Sequence, residues 1–248
     1  TISLLRNQLN QPSYPGIVFA LGGDMVSGDI HDELKETNAL DSLPTVIDLV
    51  GVLKWCISTL ADEFGAVFVP AVCGNHGRQS RKPRAKKRAA TNYDWLVYTM
   101  LEMFFKDDPR VTFLVSEGSD AYYRVYSHRY LLSHGDQFRG GDGQIGMLGP
   151  VIRGDLRKRT RQSQIKAEYD TLLIGHWHQL CQMPSRIING SLKGYDEYAW
   201  TCNFPFEQPQ QALWITHPRH GITIQMPVKI ETSHQEQGGS WISWKVAG

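Results

Sequence analysis

The 248-residue chain has only four cysteines, Cys56, Cys73, Cys181 and Cys202, and no two of them form a C-x-x-C pair. That scarcity and spacing favour reduced, packed thiols over disulfides, and a cytoplasmic protein over a secreted one. No apolar run was expected to reach the roughly 18 residues of a membrane span, and the opening TISLLRNQLNQ lacks the charged-then-apolar layout of a signal peptide. Glycine follows no three-residue period and no heptads persist, which sets aside collagen-like and coiled-coil architectures. An excess of one charge is also missing: 26 Lys+Arg face 25 Asp+Glu, and 41% of residues are hydrophobic. Disorder is excluded on that composition.

The charge that is present is unevenly placed. Residues 78–88, RQSRKPRAKKR, hold seven cations and no acid, and residues 153–166, RGDLRKRTRQSQIK, hold six cations and one acid. These segments carry a net +12, so the rest of the chain carries −11. Two such runs on an otherwise acidic protein point to a polyanionic partner.

Short apolar runs bounded by Gly or Pro predict buried strands at 17–21 (IVFAL), 66–72 (AVFVPAV), 111–115, 122–126, 130–133 and 171–174. Helical spacing predicts helices over 44–63, with a Pro in the first turn and Gly65 beyond the end, and over 92–105, with Asn92 as N-cap. Ile2, Leu4, Leu5 and Leu9 suggest the end of an amphipathic helix. From about Arg186 onward, alternating segments separated by Gly and Pro read as strands. The expectation is one α/β domain over 1–231 with antiparallel strands in its last third, followed by a polar tail over 232–248.

Polar clusters stand just past four of these strands: Gly22-Gly23-Asp24, Gly74-Asn75-His76, Ser133-His134-Gly135-Asp136 and Gly175-His176-Trp177-His178. Sites in open α/β sheets form outside the carboxyl ends of strands, so four such tips can converge on one crevice. Asp, Asn and His are oxygen and nitrogen ligands suited to Mn²⁺, Fe or Zn²⁺.

The order G-D, G-N-H, H-G, G-H-x-H resembles that of the calcineurin-like metallophosphoesterase superfamily over about residues 17–200. The resemblance implies a two-sheet sandwich flanked by helices, with two divalent metal ions, Mn²⁺ first and Fe, Zn²⁺ or Mg²⁺ otherwise, at the strand tips. It implies Asp24 as a bridging carboxylate, Asn75, His134 and His176 as ligands of one metal, and His178 as a ligand of the other. His76 matches the superfamily's catalytic histidine. The superfamily's opening Asp-x-His motif has no counterpart here, since the 23 residues before Asp24 contain neither Asp nor His. The one literal match, Asp29-Ile30-His31, lies beyond Asp24 and reads as a solvated acidic turn. The expectation is a chain that begins one strand late, with one well-held metal and one weak position.

The first basic run starts beside His76, so Arg78, Arg81, Lys82, Arg84, Lys86 and Lys87 are candidates for holding a phosphate backbone, and Trp177 for lining the site. The leading expectation is a phosphodiesterase acting on nucleic acid. The alternatives are a phosphatase or phosphodiesterase for a small molecule or phosphoprotein, and a metal-containing binding module with weakened catalysis. No membrane partner is expected; a homo-oligomer or an accessory protein is.

Overall fold

The computed structural model describes residues 1–9, 13–140, 146–230 and 242. Three β-branched runs, β1 (Ile17–Val18), β2 (Val67–Ala71) and β3 (Val111–Val115), form a wholly parallel sheet in that order. A second sheet has the order β4 (Asp120–Val125), β5 (His128–Ser133), β6 (Thr171–Ile174), β8 (Arg186–Ile188), β7 (Cys181–Met183). Its central β5, β6 and β8 are parallel, and its outer partners are antiparallel. An antiparallel hairpin, β9 (Gln210–His217) and β10 (Gly221–Lys229), forms a third sheet, in keeping with the strand-rich last third.

The sheets face each other across one core. Val72 and Phe68 of the first meet Tyr123, Tyr130, Leu132, Leu173 and Ile187 of the second, with Trp214 of the hairpin packed alongside. The outer face of the first sheet is covered by α2 (Ser42–Phe64) and α3 (Tyr93–Phe105), and that of the second by α4 (Leu148–Gln164). The result is a two-sheet sandwich flanked by helices. Two short helices, α1 (Asp32–Thr37) and α5 (Glu197–Thr201), lie in the connections, and a single π-turn at Leu4–Gln8 stands where the amphipathic opening predicted helix.

Local chemistry explains the ends. Asn92 accepts a hydrogen bond from the Asp94 amide (2.8 Å), capping α3. Gly65 closes α2 in the left-handed region at φ 74°. α4 was not legible as a helix because its inward positions include Asp155, Lys158 and Gln162, so apolar spacing underreports its buried side.

Two expectations need correction. The strand at 17–21 is two residues long with an isolated bridge from Leu21 to Ala71, and it is half-buried, because β1 is the edge of its sheet and pairs only with β2. Ser42–Phe64 is long and apolar enough to cross a membrane, contrary to the absence expected, because Asp48 and Lys54 interrupt it without making it polar. In the fold its inward residues Val46, Leu53, Ile57 and Ala61 are committed to the core beside the sheet. The expected polar tail lies outside the described residues except for Ile242. All four cysteines are free thiols, and burial pushes the Cys73 thiol up to about 12.

Candidate metal centre

The carboxyl ends of β1 and β2 in one sheet and of β5 and β6 in the other deliver their loops to the same crevice. Single ligand atoms of Asp24, His134 and His176 all lie within 4.8 Å of one another. Asn75 Oδ1 stands 3.0 Å from His134 Nε2, which is itself 3.0 Å from Asp24 Oδ2. Four of the five expected ligands therefore gather, two from each sheet. His178 lies beyond that group, its ring 6.2 Å from Phe204.

The donor set fits a cation. His134 is buried, and its Nδ1 sits 2.8 Å from the Gly22 carbonyl, which can only accept. That contact places the proton on Nδ1 and aims the Nε2 lone pair at the Asn75 and Asp24 oxygens, the support that metal-ligating histidines usually have. Three lone-pair-bearing atoms then face one point, and buried Asp24 Oδ2 accepts no well-formed hydrogen bond there. Without a cation such a cluster must hold an extra proton. Burial disfavours charge on His134, but the adjacent Asp24 carboxylate outweighs this and raises the imidazole pKa. Burial likewise works against the Asp24 carboxylate, yet His134 and His76 hold its pKa well below the usual range. Burial and repulsion from His134 push His176 down to about 4, leaving a neutral imidazole ready to coordinate, and burial lowers His178 too.

The loops are held in uncommon backbone geometry. Asp24, His176 and His178 adopt φ of 52°, 68° and 56°, left-handed conformations that Asp and His tolerate better than most residues and that cluster at functional sites. A Cβ on Gly74 would collide with the Asp24 amide and carboxylate, so this position requires glycine for close approach.

Two residues with structural duties here were not singled out from the sequence. Asp94, fully buried in the first turn of α3, accepts hydrogen bonds from the amides of Asp24 (2.9 Å), Met25 (3.1 Å) and Gly74 (2.8 Å). It thus ties the G-D loop to the G-N-H loop from behind, while Asn92 Nδ2 holds the Gly74 carbonyl (3.0 Å). Burial and the Asp24 charge lift the Asp94 carboxyl to about 6. The signal was an acid opening an otherwise apolar helix just after the G-N-H loop. Arg88 is the second: it forms a two-pronged pair with Asp136 (2.8 and 3.0 Å) and donates to the Cys73 carbonyl (2.9 Å).

His76 is oriented rather than buried. Its amide donates to Asp24 Oδ1 (2.7 Å), and its Nδ1 lies 2.9 Å from the Ser27 carbonyl, leaving Nε2 as the nitrogen able to exchange a proton with a ligand. Asp29 is engaged as acceptor from Ser42 Oγ (2.8 Å), while His31, exposed, packs edge-on to His76 at 6.2 Å. Trp177 stacks edge-on to His176 at 5.6 Å and packs with the cluster beneath α4.

The basic runs divide by direction. Arg78 donates to the carbonyls of Asn75 (2.6 Å), Ser80 (3.0 Å) and Arg81 (3.2 Å), bracing the loop behind His76. Arg81, Lys82, Arg84, Lys86 and Lys87 are exposed. In the second run Lys158 and Arg161 pair with Asp120, and Arg159 pairs with buried Asp155.

A pH effect follows. His134, raised above its ordinary value, stabilises the metal-free fold most fully below the unfolded value of about 6.5 and loses that contribution as pH rises through the raised one. Asp94 acts in the same sense: its raised carboxyl favours folding while protonated, and this fades as pH climbs through about 6. A cation competes with the His134 proton, so divalent affinity should rise across the same window. His176 and His178, held below their unfolded values, favour folding as pH rises and so oppose His134 in the metal-free chain; the ion's own effect is the readout, and Mn²⁺ should raise Tm more at pH 8 than at pH 5.5. An equal Mn²⁺ shift at both pH values would refute the shared-proton account.

No family model and no curated protein matches the chain. Among solved structures it is similar to a Vps29 single mutant from Entamoeba histolytica (15% identity, TM-score 0.38, covering 86% of this chain and 99% of that one). It is also similar to a predicted phosphoesterase from Streptococcus pneumoniae (11%, TM-score 0.32, 86% and 96%). A third match is Entamoeba histolytica Vps29 complexed with Zn²⁺ (14%, TM-score 0.35, 71% and 88%).

Proposed function

We propose that the chain is a metal-dependent phosphoesterase that hydrolyses phosphodiester bonds, with nucleic acid as the favoured substrate class. The observation that carries this reading is the convergence of Asp24, Asn75, His134 and His176 on one point, with an oriented, unburied histidine at the rim. Divalent cations held there would polarise phosphoryl oxygens and lower the pKa of a bound water. Asp24, fixed by the His76 amide and the Asp94-braced loop, keeps its carboxylate charged for that role. His176 offers a neutral imidazole, and His134, once a cation displaces its proton, an Nε2 lone pair aimed by the Gly22 carbonyl. His76, its ring set by Ser27, would present Nε2 to the departing oxygen.

The exposed cations Arg81, Lys82, Arg84, Lys86 and Lys87 begin five residues after His76 and support a phosphate-backbone contact beside the site. The inward pairing of buried Lys158 and half-buried Arg159 favours the second reading, an esterase for small phosphodiesters, since it draws two of the run's six cations away from the surface. The two readings separate in one assay. Mn²⁺-dependent hydrolysis of bis(p-nitrophenyl) phosphate and of DNA, abolished by chelation, is expected. Neutralising the five exposed cations should weaken DNA binding by at least about tenfold near physiological salt and flatten its salt dependence, leaving the small ester's rate unchanged. Unchanged DNA affinity would favour the small-ester reading, and no turnover of either substrate by the intact chain with Mn²⁺ would reject both.

A further inference from the structure

The helices over the first sheet leave an unusual amount of apolar surface uncovered. On α2, Leu43, Ile47 and Trp55 are 61%, 67% and 68% exposed, and on α3, Leu96, Met100, Met103 and Phe104 are 37%, 36%, 67% and 52% exposed. Their spacing, near i, i+4, i+12 on α2 and i, i+4, i+7, i+8 on α3, places each set on one helix face. Lys54 Nζ lies 3.7 Å above the Phe104 ring, so the two helices are side by side at this edge. The stripes therefore line a common outward groove running along both helices.

We infer that this groove is the interface of a two-fold dimer, in which α2 and α3 of one chain pack against α2 and α3 of a second copy. Area is the first argument. With aromatic side chains at about 150–250 Å² and aliphatic ones somewhat less, the exposed fractions amount to roughly 800 Å². A typical monomer's largest apolar patch is about 300–600 Å², whereas a standard interface buries about 800 Å² per partner. Charge is the second argument. Between Ser42 and Ala61, α2 carries only Asp48 and Lys54, and α3 carries only buried Asp94 and exposed Glu102, so a self-facing contact brings few like charges together. The same shortage of cations disfavours a lipid surface, which amphipathic helices usually approach with a Lys- or Arg-rich polar face. Insertion as a span would also require α2 to leave the core that Val46, Leu53 and Ile57 help to form.

The test uses the full chain and does not depend on catalysis or metal. Light scattering should give twice the 28.1 kDa chain mass at micromolar concentration. Trp55→Glu and Met103→Glu, on different helices and both at exposed positions, should each raise the dimer Kd at least about 30-fold, as central anchors do. Leu156→Glu, at an exposed apolar position on α4, should leave it unchanged. Hydrogen exchange of the unmodified chain, which needs no variant to fold, should show concentration-dependent protection over 42–64 and 93–105. A monomer at 50 micromolar in about 0.15 M salt, a dimer insensitive to both substitutions, or stripe-dependent binding to phosphatidylcholine–phosphatidylserine vesicles by a monomeric chain would each overturn the inference.

Discussion

Asp94→Ala should destabilise the chain by about 3–5 kcal/mol and weaken its hold on divalent metal, although Asp94 touches no ligand atom. Its carboxylate satisfies three amides, those of Asp24, Met25 and Gly74, at 2.8–3.1 Å. Each amide left unsatisfied in a buried setting costs about 1–3 kcal/mol, and the three are not independent. For a domain of this size the loss corresponds to a Tm drop of very roughly 10 °C. The geometric consequence is more specific. Asp24 is held at φ 52° only while its loop is pinned against the Gly74 backbone, so releasing the pin frees the carboxylate from the cluster. Asp94→Asn keeps one acceptor oxygen and should fall between. Thermal melts with and without Mn²⁺ check both halves: the variant should melt lower and also gain less from the ion. A full Mn²⁺ shift on a lowered baseline would make Asp94 a stability residue alone, and an unchanged baseline would remove the clamp altogether.

His76→Ala should behave in the opposite way. Its ring stands apart from the three-residue ligand group, and the contact that steadies Asp24 comes from its backbone amide, which alanine retains. Metal stoichiometry and Tm should stay near those of the parent chain, while kcat on a phosphodiester with an alkoxide leaving group, such as DNA, falls by about 10²–10⁴, the usual contribution of a positioned acid or base. KM should change far less. The loss should be smaller for an ester whose leaving group is already acidic, since such a group needs little protonation. If metal content falls together with kcat, His76 is a ligand and the assignment of roles is wrong.

The site was largely legible because its signal is local: polar residues after Gly at the ends of β-branched runs, four times over. Helices α2 and α3 announced themselves through Pro44, Gly65 and Asn92, residues whose backbone chemistry marks ends. What was hidden depended on direction. The runs at 78–88 and 153–166 look alike as strings of cations, yet Arg88 and Lys158 turn inward to Asp136 and Asp120 while Lys86 and Lys87 face solvent. Charge along a sequence counts residues and not the faces they occupy. Asp94 was hidden because a helix-opening acid is ordinarily explained by the helix alone. The outward stripe of α2 was hidden because periodicity reports that a helix has apolar positions, and two apolar faces on one helix blur into a single run.

The Arg88 contacts carry one more consequence. The Cys73 carbonyl belongs to the end of the first sheet, and Asp136 to the loop that leaves the second. Asp24 and Asn75 hang from one sheet, His134 and His176 from the other, so the pocket is a seam and Arg88 is its clasp. Any breathing that parts the two layers must also pull the four side chains away from their common point. Opening of the sandwich and dispersal of the four-residue cluster are thus one motion.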